Sequence, residues 1–178
     1  MPQYAAFLRG INVSGNHRIP MPELRKLFAG LGYTDVSTVL NSGNIRFSTG
    51  ETDQKEIRSK IEKEIRRMFG EDIPVYTAEM THLKQILDHA PVWWGTEDKG
   101  IYNNIVFILT DETPQEICTR IGDPSVGWEQ VMVYDDVIFW SFDLNHYQKC
   151  SWWKKTSTAG ITEKLTIRTA GTVRKICG

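Results

Sequence analysis

The sequence has few cysteines and no long apolar run. Its three cysteines, Cys118, Cys150 and Cys177, are odd in number and far apart, so they predict neither a disulfide framework nor a zinc motif. No apolar run approaches the roughly 20 residues that a bilayer-spanning helix needs. The N-terminus also lacks the charged-then-apolar pattern of a signal peptide. We therefore expect a cytoplasmic protein that makes no membrane contact.

Catalytic and metal-binding motifs are missing as well. His82 and His89 would lie about 10.5 Å apart along a helix, which is too far to share one metal ion. Ser14 and Ser42 lie outside any Gly-x-Ser-x-Gly elbow, and no histidine has an acidic partner that the sequence makes evident. We expect neither a metal nor a cofactor, and it stays open whether the chain is an enzyme.

Charge is distributed unevenly along the 178 residues, although the net charge is only −1. Residues 1–70 carry 11 basic and 7 acidic side chains, residues 71–143 carry 3 and 14, and residues 144–178 carry 7 and 1. One interpretation is that basic and acidic surfaces pair within the folded protein. The alternative is that the two basic ends form an anion-binding face.

The first half of the chain predicts one complete α+β unit. Apolar periodicity and turn residues predict strands at 3–8, 36–40, 45–48 and 73–77, and helices at 22–30 and 53–70. The second helix has an apolar stripe of Ile57, Ile61, Ile65 and Met68. Gly43 is expected to take a positive φ in the tight turn between the middle strands. The order β-α-β-β-α-β is that of a ferredoxin-like unit.

The second half repeats this order less completely. A helix at 81–89 is followed by a strand at 104–110, a helix that begins at Thr113-Pro114, and strands at 130–134 and 137–142. The remaining residues form a basic segment that should add a helix or a strand. We therefore predict two ferredoxin-like subdomains, residues 1–78 and 79–178, the second incomplete and followed by a basic C-terminal tail.

Several motifs resemble one protein family. They are Phe7-Leu8-Arg9-Gly10-Ile11-Asn12-Val13, Pro22-Glu23-Leu24, Asn41-Ser42-Gly43-Asn44, Pro91-Val92-Trp93-Trp94, Ile138-Phe139-Trp140 and Thr166-Ile167-Arg168. Together they are similar to the bacterial domain-of-unknown-function family sixteen ninety-seven. The resemblance implies a two-subdomain α+β fold and a cytoplasmic location, and it supplies no catalytic residues.

The loop after the first strand is the first candidate site. Arg9 and Arg18 supply positive charge, and the glycines allow a ligand to approach the backbone closely. Asn12, Asn16 and Asn41 are polar groups that would face such a ligand. Alternatively, these asparagines bond backbone groups and lock the two loops together, which is a common structural use of asparagine in turns.

The C-terminal segment is the second candidate site. Lys149, Lys154 and Arg168 are interleaved with Trp152 and Trp153, a mixture that nucleic-acid surfaces use for stacking and phosphate contact. Lysine stems also pack over tryptophan faces without binding any ligand. Packing within the fold is therefore the alternative to a nucleic-acid surface.

Two functions follow from these candidates. The first is a module that binds an anionic partner, a nucleotide or nucleic acid, through Arg9, Arg18, Lys149, Lys154 and Arg168. The second is a small enzyme whose site lies where the Asn12 and Asn41 loops meet the C-terminal tail. A concave polar pocket would favour the enzyme, and a flat basic face would favour the binder.

Overall fold

The computed structural model describes residues 1–15 and 17–178. It contains two four-stranded antiparallel sheets, with strand orders β2-β3-β1-β4 and β6-β7-β5-β8. The strands are β1 (Gln3–Leu8), β2 (Thr34–Val39), β3 (Asn44–Ser48), β4 (Val75–Glu79), β5 (Ile101–Ile108), β6 (Glu129–Tyr134), β7 (Val137–Asp143) and β8 (Leu165–Thr169). The helices are α1 (Met21–Gly30), α2 (Gln54–Phe69), α3 (Met80–Asp88), α4 (Pro114–Ile121), α5 (Ser151–Lys155) and α6 (Ala170–Cys177). The fold is therefore mixed α+β, as the sequence predicts.

The chain divides into two compact units. The first comprises residues 1–85 and 175–178, and the second comprises residues 86–174. The division falls within α3 and α6, whereas the sequence places a boundary at residues 78–81, where β4 ends; that boundary stays a prediction. Among the helices that the structure describes, none is both long enough and apolar enough to cross a membrane.

The first sheet is built around β1, which pairs with β3 on one side and β4 on the other. Tyr4, Ala6 and Leu8 alternate along β1 and belong to one buried cluster with apolar side chains of α1 and α2. This arrangement follows from the period of two in a strand, which puts alternate residues on one face. Helices α1 and α2 therefore cover the same face of this sheet.

Helix α2 begins and ends where the sequence predicts. Asp53 caps it by accepting hydrogen bonds from the backbone N–H groups of Lys55 and Glu56, and Gly70 ends it at φ 69°. Ile57, Ile61 and Ile65 are buried, as the predicted stripe requires. Met68 is exposed and does not extend that stripe. The 3.6-residue period still directs Met68 toward the stripe, so its exposure reflects its place in the last turn of the helix, beside the end at Gly70.

The turn between β2 and β3 confirms the prediction for Gly43, whose φ is 84°. A backbone hydrogen bond joins this turn to the end of β1: Leu8 N donates to Gly43 O at 2.9 Å. A Cβ at Gly43 would lie 2.8 Å from Leu8 Cβ. The turn residue is therefore fixed both by its backbone conformation and by close approach to β1.

The second sheet is more complete than the sequence predicts. β5 is its centre and pairs with β7 and, on its other side, with β8. The segment predicted as a basic tail thus supplies an edge strand, together with α5, α6 and two short 3₁₀ helices at Leu144–Lys149 and Thr162–Lys164. β8 has only five residues, and its apolar side chains alternate with polar ones, so its strand character depends on pairing with β5.

The second unit has its own core. Val106, Ile138 and Leu165 on one face of the sheet pack with Ile117 of α4 and Trp152 of α5 in a single buried cluster. Helix α4 begins with the predicted capping box, in which Thr113 and Glu116 bond each other's backbone N–H groups. Local capping signals and apolar periodicity therefore position this helix as they do α2.

Candidate functional site

The loop from β1 to α1 has an unusual backbone. Three of its non-glycine residues, Asn12, Ser14 and His17, have φ values of 55°, 50° and 47°. Left-handed conformations at non-glycine residues cost energy and persist only where surrounding contacts enforce them. The loop is therefore held in a specific shape rather than adopting the conformation its residues prefer.

Asn12 supplies much of that constraint. Its Nδ2 donates to Asn41 O at 2.7 Å and to Ile19 O at 3.0 Å, and its Oδ1 accepts from Ile19 N at 2.9 Å. One side chain thus joins the β1–α1 loop to the β2–β3 turn, as the structural alternative for the asparagines predicts. These bonds occupy the amide, so Asn12 positions the loops and offers little to a ligand.

An open cavity of about 400 Å³ lies beside these two loops. Arg18 and Asn41, both exposed, line it together with Gly15 and the start of α1 at Met21. Arg18 forms no ion pair with any acidic side chain among the described residues. The structure therefore places three sequence-predicted residues, Asn12, Arg18 and Asn41, around one concave surface within the first unit.

The start of α1 adds to the polarity of this cavity. Pro20 is the N-cap residue, and no side chain caps the helix. The first N–H groups of a helix lack intrahelical acceptors and carry the positive end of its dipole. Pro22 removes one of these donors, so the contribution of α1 is smaller than that of an ordinary helix N-terminus.

Two other predicted residues of the first unit have different positions. Arg9 is half-buried at the end of β1, and its backbone N–H donates to Pro74 O at 3.1 Å. It is not among the residues that line the cavity. Asn16 lies outside the described residues.

A histidine of the β1–α1 loop pairs with a carboxylate of the segment between α2 and β4. His17 Nδ1 is 2.7 Å from Glu71 Oε2, and both side chains are about two-fifths exposed. In the second unit, His146 Nδ1 is 3.1 Å from Asp143 Oδ2. Both histidines therefore have an acidic partner in the folded protein. His17 and Glu71 are 54 positions apart, so no local motif could reveal the pair.

The predicted cations of the second unit occupy separate elements. Lys149 is exposed and lies 4.8 Å from the centre of the Trp128 ring, and Lys154 is exposed on α5. Arg168 is buried in β8, where its Nη1 donates to Thr166 Oγ1 at 2.8 Å and to Ile167 O at 3.0 Å. Burial lowers the pKa of Arg168 to about 10. Arg168 is thus not a solvent-facing cation.

Arg168 and Lys154 also lie on opposite sides of the second sheet. Leu165 and Ile167 of β8 pack with the cluster that contains Trp152 of α5, and alternation along the strand directs Arg168 to the other face. Trp152 is fully buried, and its Nε1 donates to Gly122 O at 2.8 Å. This part of the aromatic and basic segment therefore serves packing, while Trp153 is 40% exposed.

Cys150 has the character of a buried structural thiol. It is fully buried, and its Sγ lies 3.5 Å from His146 O. Burial, followed by the charges of Glu129 and Asp143, raises the pKa of Cys150 to about 11. The thiolate that nucleophilic chemistry requires is therefore disfavoured at neutral pH.

The geometry defines a class: a two-unit α+β protein with a basic loop beside an open cavity. The family described as Protein of unknown function (DUF1697) matches residues 1–139. The chain belongs to this family, which confirms the resemblance read from the motifs.

One solved structure shares the fold over nearly the whole chain. It is that of the conserved bacterial protein SP0830 from Streptococcus pneumoniae, with a TM-score of 0.86 and 24% sequence identity. The match covers 99% of this chain and 97% of that one. No curated protein matches the chain. The similarity therefore supports the fold and leaves the function to the chemistry of the site.

Proposed function

We propose that the protein is a binding module for a small anionic ligand, such as a nucleotide, which it takes at the cavity beside the β1–α1 loop. The observation that carries this proposal is Arg18, an exposed guanidinium on a concave surface with no ion-pair partner among the described residues. Guanidinium groups bind phosphate and carboxylate through two parallel hydrogen bonds. A lone arginine in a cavity is suited to that role.

The loop conformation supports the same proposal. Asn12 bonds Ile19 near the end of the loop, and through the 2.7 Å bond to Asn41 O it joins the loop to the turn that lines the same cavity as Arg18. A site that is rigid before binding loses less conformational entropy when the ligand arrives. The strained loop conformation then serves binding, because it holds Arg18 and the Asn41 amide at the same cavity.

The test is calorimetric titration of the full chain with inorganic phosphate, ADP and a single-stranded oligonucleotide at low salt. Arg18→Gln is the variant, and Lys26→Gln is its matched control, since Lys26 is an exposed cation on α1 away from the cavity. Hydrogen bonds to charged groups contribute about 1.5–3 kcal/mol. We expect Arg18→Gln to weaken ADP binding about 10- to 100-fold, and Lys26→Gln to change it less than about 2-fold.

Several outcomes would contradict the proposal. Wild-type protein that binds none of the three probes at low salt would remove it, as would equal losses in Arg18→Gln and Lys26→Gln.

Binding of the oligonucleotide with a steep salt dependence would identify nucleic acid as the anionic partner, because each neutralised phosphate releases counterions. Roles for Arg9, Lys149 and Lys154 stay predictions.

An enzyme is the second candidate, and the His17–Glu71 pair favours it. A histidine oriented by a carboxylate is a common general base, and His17 is adjacent in sequence to Arg18. Turnover of ADP, followed by phosphorus NMR, should then be lost in Glu71→Gln while ADP binding is retained. Unchanged ADP over long incubation with wild-type protein would favour the binding module alone.

We further propose that both units are ferredoxin-like and arose by duplication. The equivalent strand orders β2-β3-β1-β4 and β6-β7-β5-β8 support this, as does the matching position of a helix before β2 and before β6. Superposition of β1–β4 on β5–β8 in chain order should then also align α1 with α4; alignment only in a permuted order would contradict duplication.

We also propose a cytoplasmic location, which the three free cysteines support because reducing compartments keep thiols unpaired. Cell fractionation should recover the protein with cytoplasmic markers, and recovery from an oxidising compartment would contradict it.

A further inference from the structure

A second cavity, unrelated to the proposed anion site, lies within the second unit. Its volume is about 380 Å³, which is within the range of small-molecule sites. Tyr102, Trp140, Phe142 and Trp153 contribute aromatic rings to its wall. Tyr102 and Trp153 are each about two-fifths exposed and form the rim, while Phe142 and Trp140 are buried.

Two residues of the cavity wall carry a buried donor that has no acceptor among the described residues. Asn104 and Trp140 are each 3% exposed, and neither Asn104 Nδ2 nor Trp140 Nε1 has a hydrogen-bond partner among the described residues. The two residues are directly opposite each other in the pairing of β5 with β7. A buried donor without a partner costs about 1–3 kcal/mol of folding free energy. Two such donors next to each other in one wall are therefore strongly destabilising unless something outside the wall bonds them.

The other buried indoles of this unit differ from Trp140. Trp94 Nε1 donates to Asn104 O at 2.8 Å, and Trp152 Nε1 donates to Gly122 O at 2.8 Å. The fold thus satisfies both of these indole N–H groups with backbone carbonyls. Of these three buried indoles, only Trp140, at the cavity, lacks an acceptor among the described residues.

The remaining chemistry of the wall restricts the class of ligand. No side chain that lines the cavity, among the described residues, is charged at neutral pH. Aromatic walls favour flat rings, which stack or meet ring edges. Amide and indole N–H groups are donors only, and a ring carbonyl oxygen is an uncharged acceptor for them.

We propose that this cavity binds a neutral, planar aromatic ligand that carries a carbonyl group on its ring system. Its carbonyl oxygen accepts from both Trp140 Nε1 and Asn104 Nδ2, and its ring lies between Tyr102 and Trp153. The ligand differs in charge from that of the first unit, and it binds to different residues, so either site can fail without the other.

The test uses two probes of the same ring size, oxindole and indole, which differ by the carbonyl group. Oxindole is titrated into the full-length, nitrogen-15-labelled protein, and the six tryptophan indole N–H resonances are followed by NMR. Trp140→Phe identifies the Trp140 resonance by its loss. We expect oxindole to move that resonance downfield and to bind more tightly than indole, while the Trp152 resonance moves less because its N–H is already bonded.

Asn104→Leu removes one donor and keeps a similar volume. Since a neutral hydrogen bond contributes about 0.5–1.5 kcal/mol, we expect the preference for oxindole over indole to fall about 2- to 12-fold. If Asn104→Leu does not fold, Trp140→Phe serves as the second donor-deleted variant with the same expected loss. Equal affinities of oxindole and indole for wild-type protein, or no shift of the Trp140 resonance, would overturn the proposal.

Discussion

Replacement of Gly43 by alanine tests the closest backbone approach in the first unit. Gly43 has a φ of 84°, and an added Cβ would lie 2.8 Å from Leu8 Cβ and 2.9 Å from Ile11 Cδ1. Leu8 and Ile11 are fully buried, and the Leu8 Cβ cannot move without displacing β1. The substitution therefore combines backbone strain with overpacking.

The expected magnitude follows from these two contributions. A left-handed conformation costs an alanine about 1–2 kcal/mol, and overpacking in a well-packed core costs about 1–3 kcal/mol. Gly43→Ala should thus lower the free energy of unfolding by about 2–5 kcal/mol. Gly32 is the matched control, because its φ is 87° and a Cβ there would have no heavy atom within 4 Å. Gly32→Ala should lose only the backbone part, about 1–2 kcal/mol.

Urea unfolding followed by far-ultraviolet circular dichroism is the appropriate measurement. Tryptophan fluorescence would not report on the first unit, because all six tryptophans lie between residues 93 and 153. Equal unfolding midpoints for Gly43→Ala and Gly32→Ala would refute the steric reasoning. A larger loss in Gly43→Ala should also weaken ligand binding at Arg18, since this turn carries Asn41.

Three further predictions concern single side chains. Asn12→Ala removes three hydrogen bonds and places alanine at φ 55°, so we expect a loss of about 2–4 kcal/mol by urea unfolding; a loss below about 0.5 kcal/mol would contradict its positioning role. Buried Glu129 accepts from Ser125 N at 2.9 Å and from Trp152 N at 3.0 Å. Glu129→Gln should therefore lower the free energy of unfolding by about 2–4 kcal/mol. Thermal unfolding followed by tryptophan fluorescence measures this loss, and an unchanged Tm would argue against it. Burial raises the pKa of Cys150 to about 11 in the folded protein, so as pH rises the thiol ionises in the unfolded chain before it ionises in the folded one. The free energy of unfolding should therefore fall as pH rises from about 9 to 11. Cys150→Ala should reduce that fall in pH-dependent urea unfolding; an identical pH profile would contradict the prediction.

Much of the fold could be predicted because its signals are local. Asp53 and Thr113 cap helices within three residues of themselves, and Gly43 takes a turn conformation that few other residues tolerate. Apolar periodicity likewise identifies the buried faces of α1 and α2. These features depend on neighbouring residues alone, so the sequence contains the whole of the physical cause.

The end of the chain was harder to predict for a physical reason. β8 has a short, alternating and basic sequence, and it becomes a strand only because β5 offers a free edge. Arg168 is buried as a consequence of that pairing, although an arginine in a basic segment is typical of an exposed surface. The register of a distant strand decided both outcomes.

The candidate sites divide in the same way. The sequence by itself determined that Arg18, Asn12 and Asn41 lie in polar loops, since each falls in a stretch of turn residues between predicted elements. Only the tertiary structure decided that the Asn12 amide hydrogen-bonds backbone groups and that His17 pairs with Glu71. It likewise decided that the side-chain donors of Asn104 and Trp140 lack acceptors among the described residues. Hydrogen-bond partners far apart along the chain are set by sheet register and loop packing, and no local pattern encodes them.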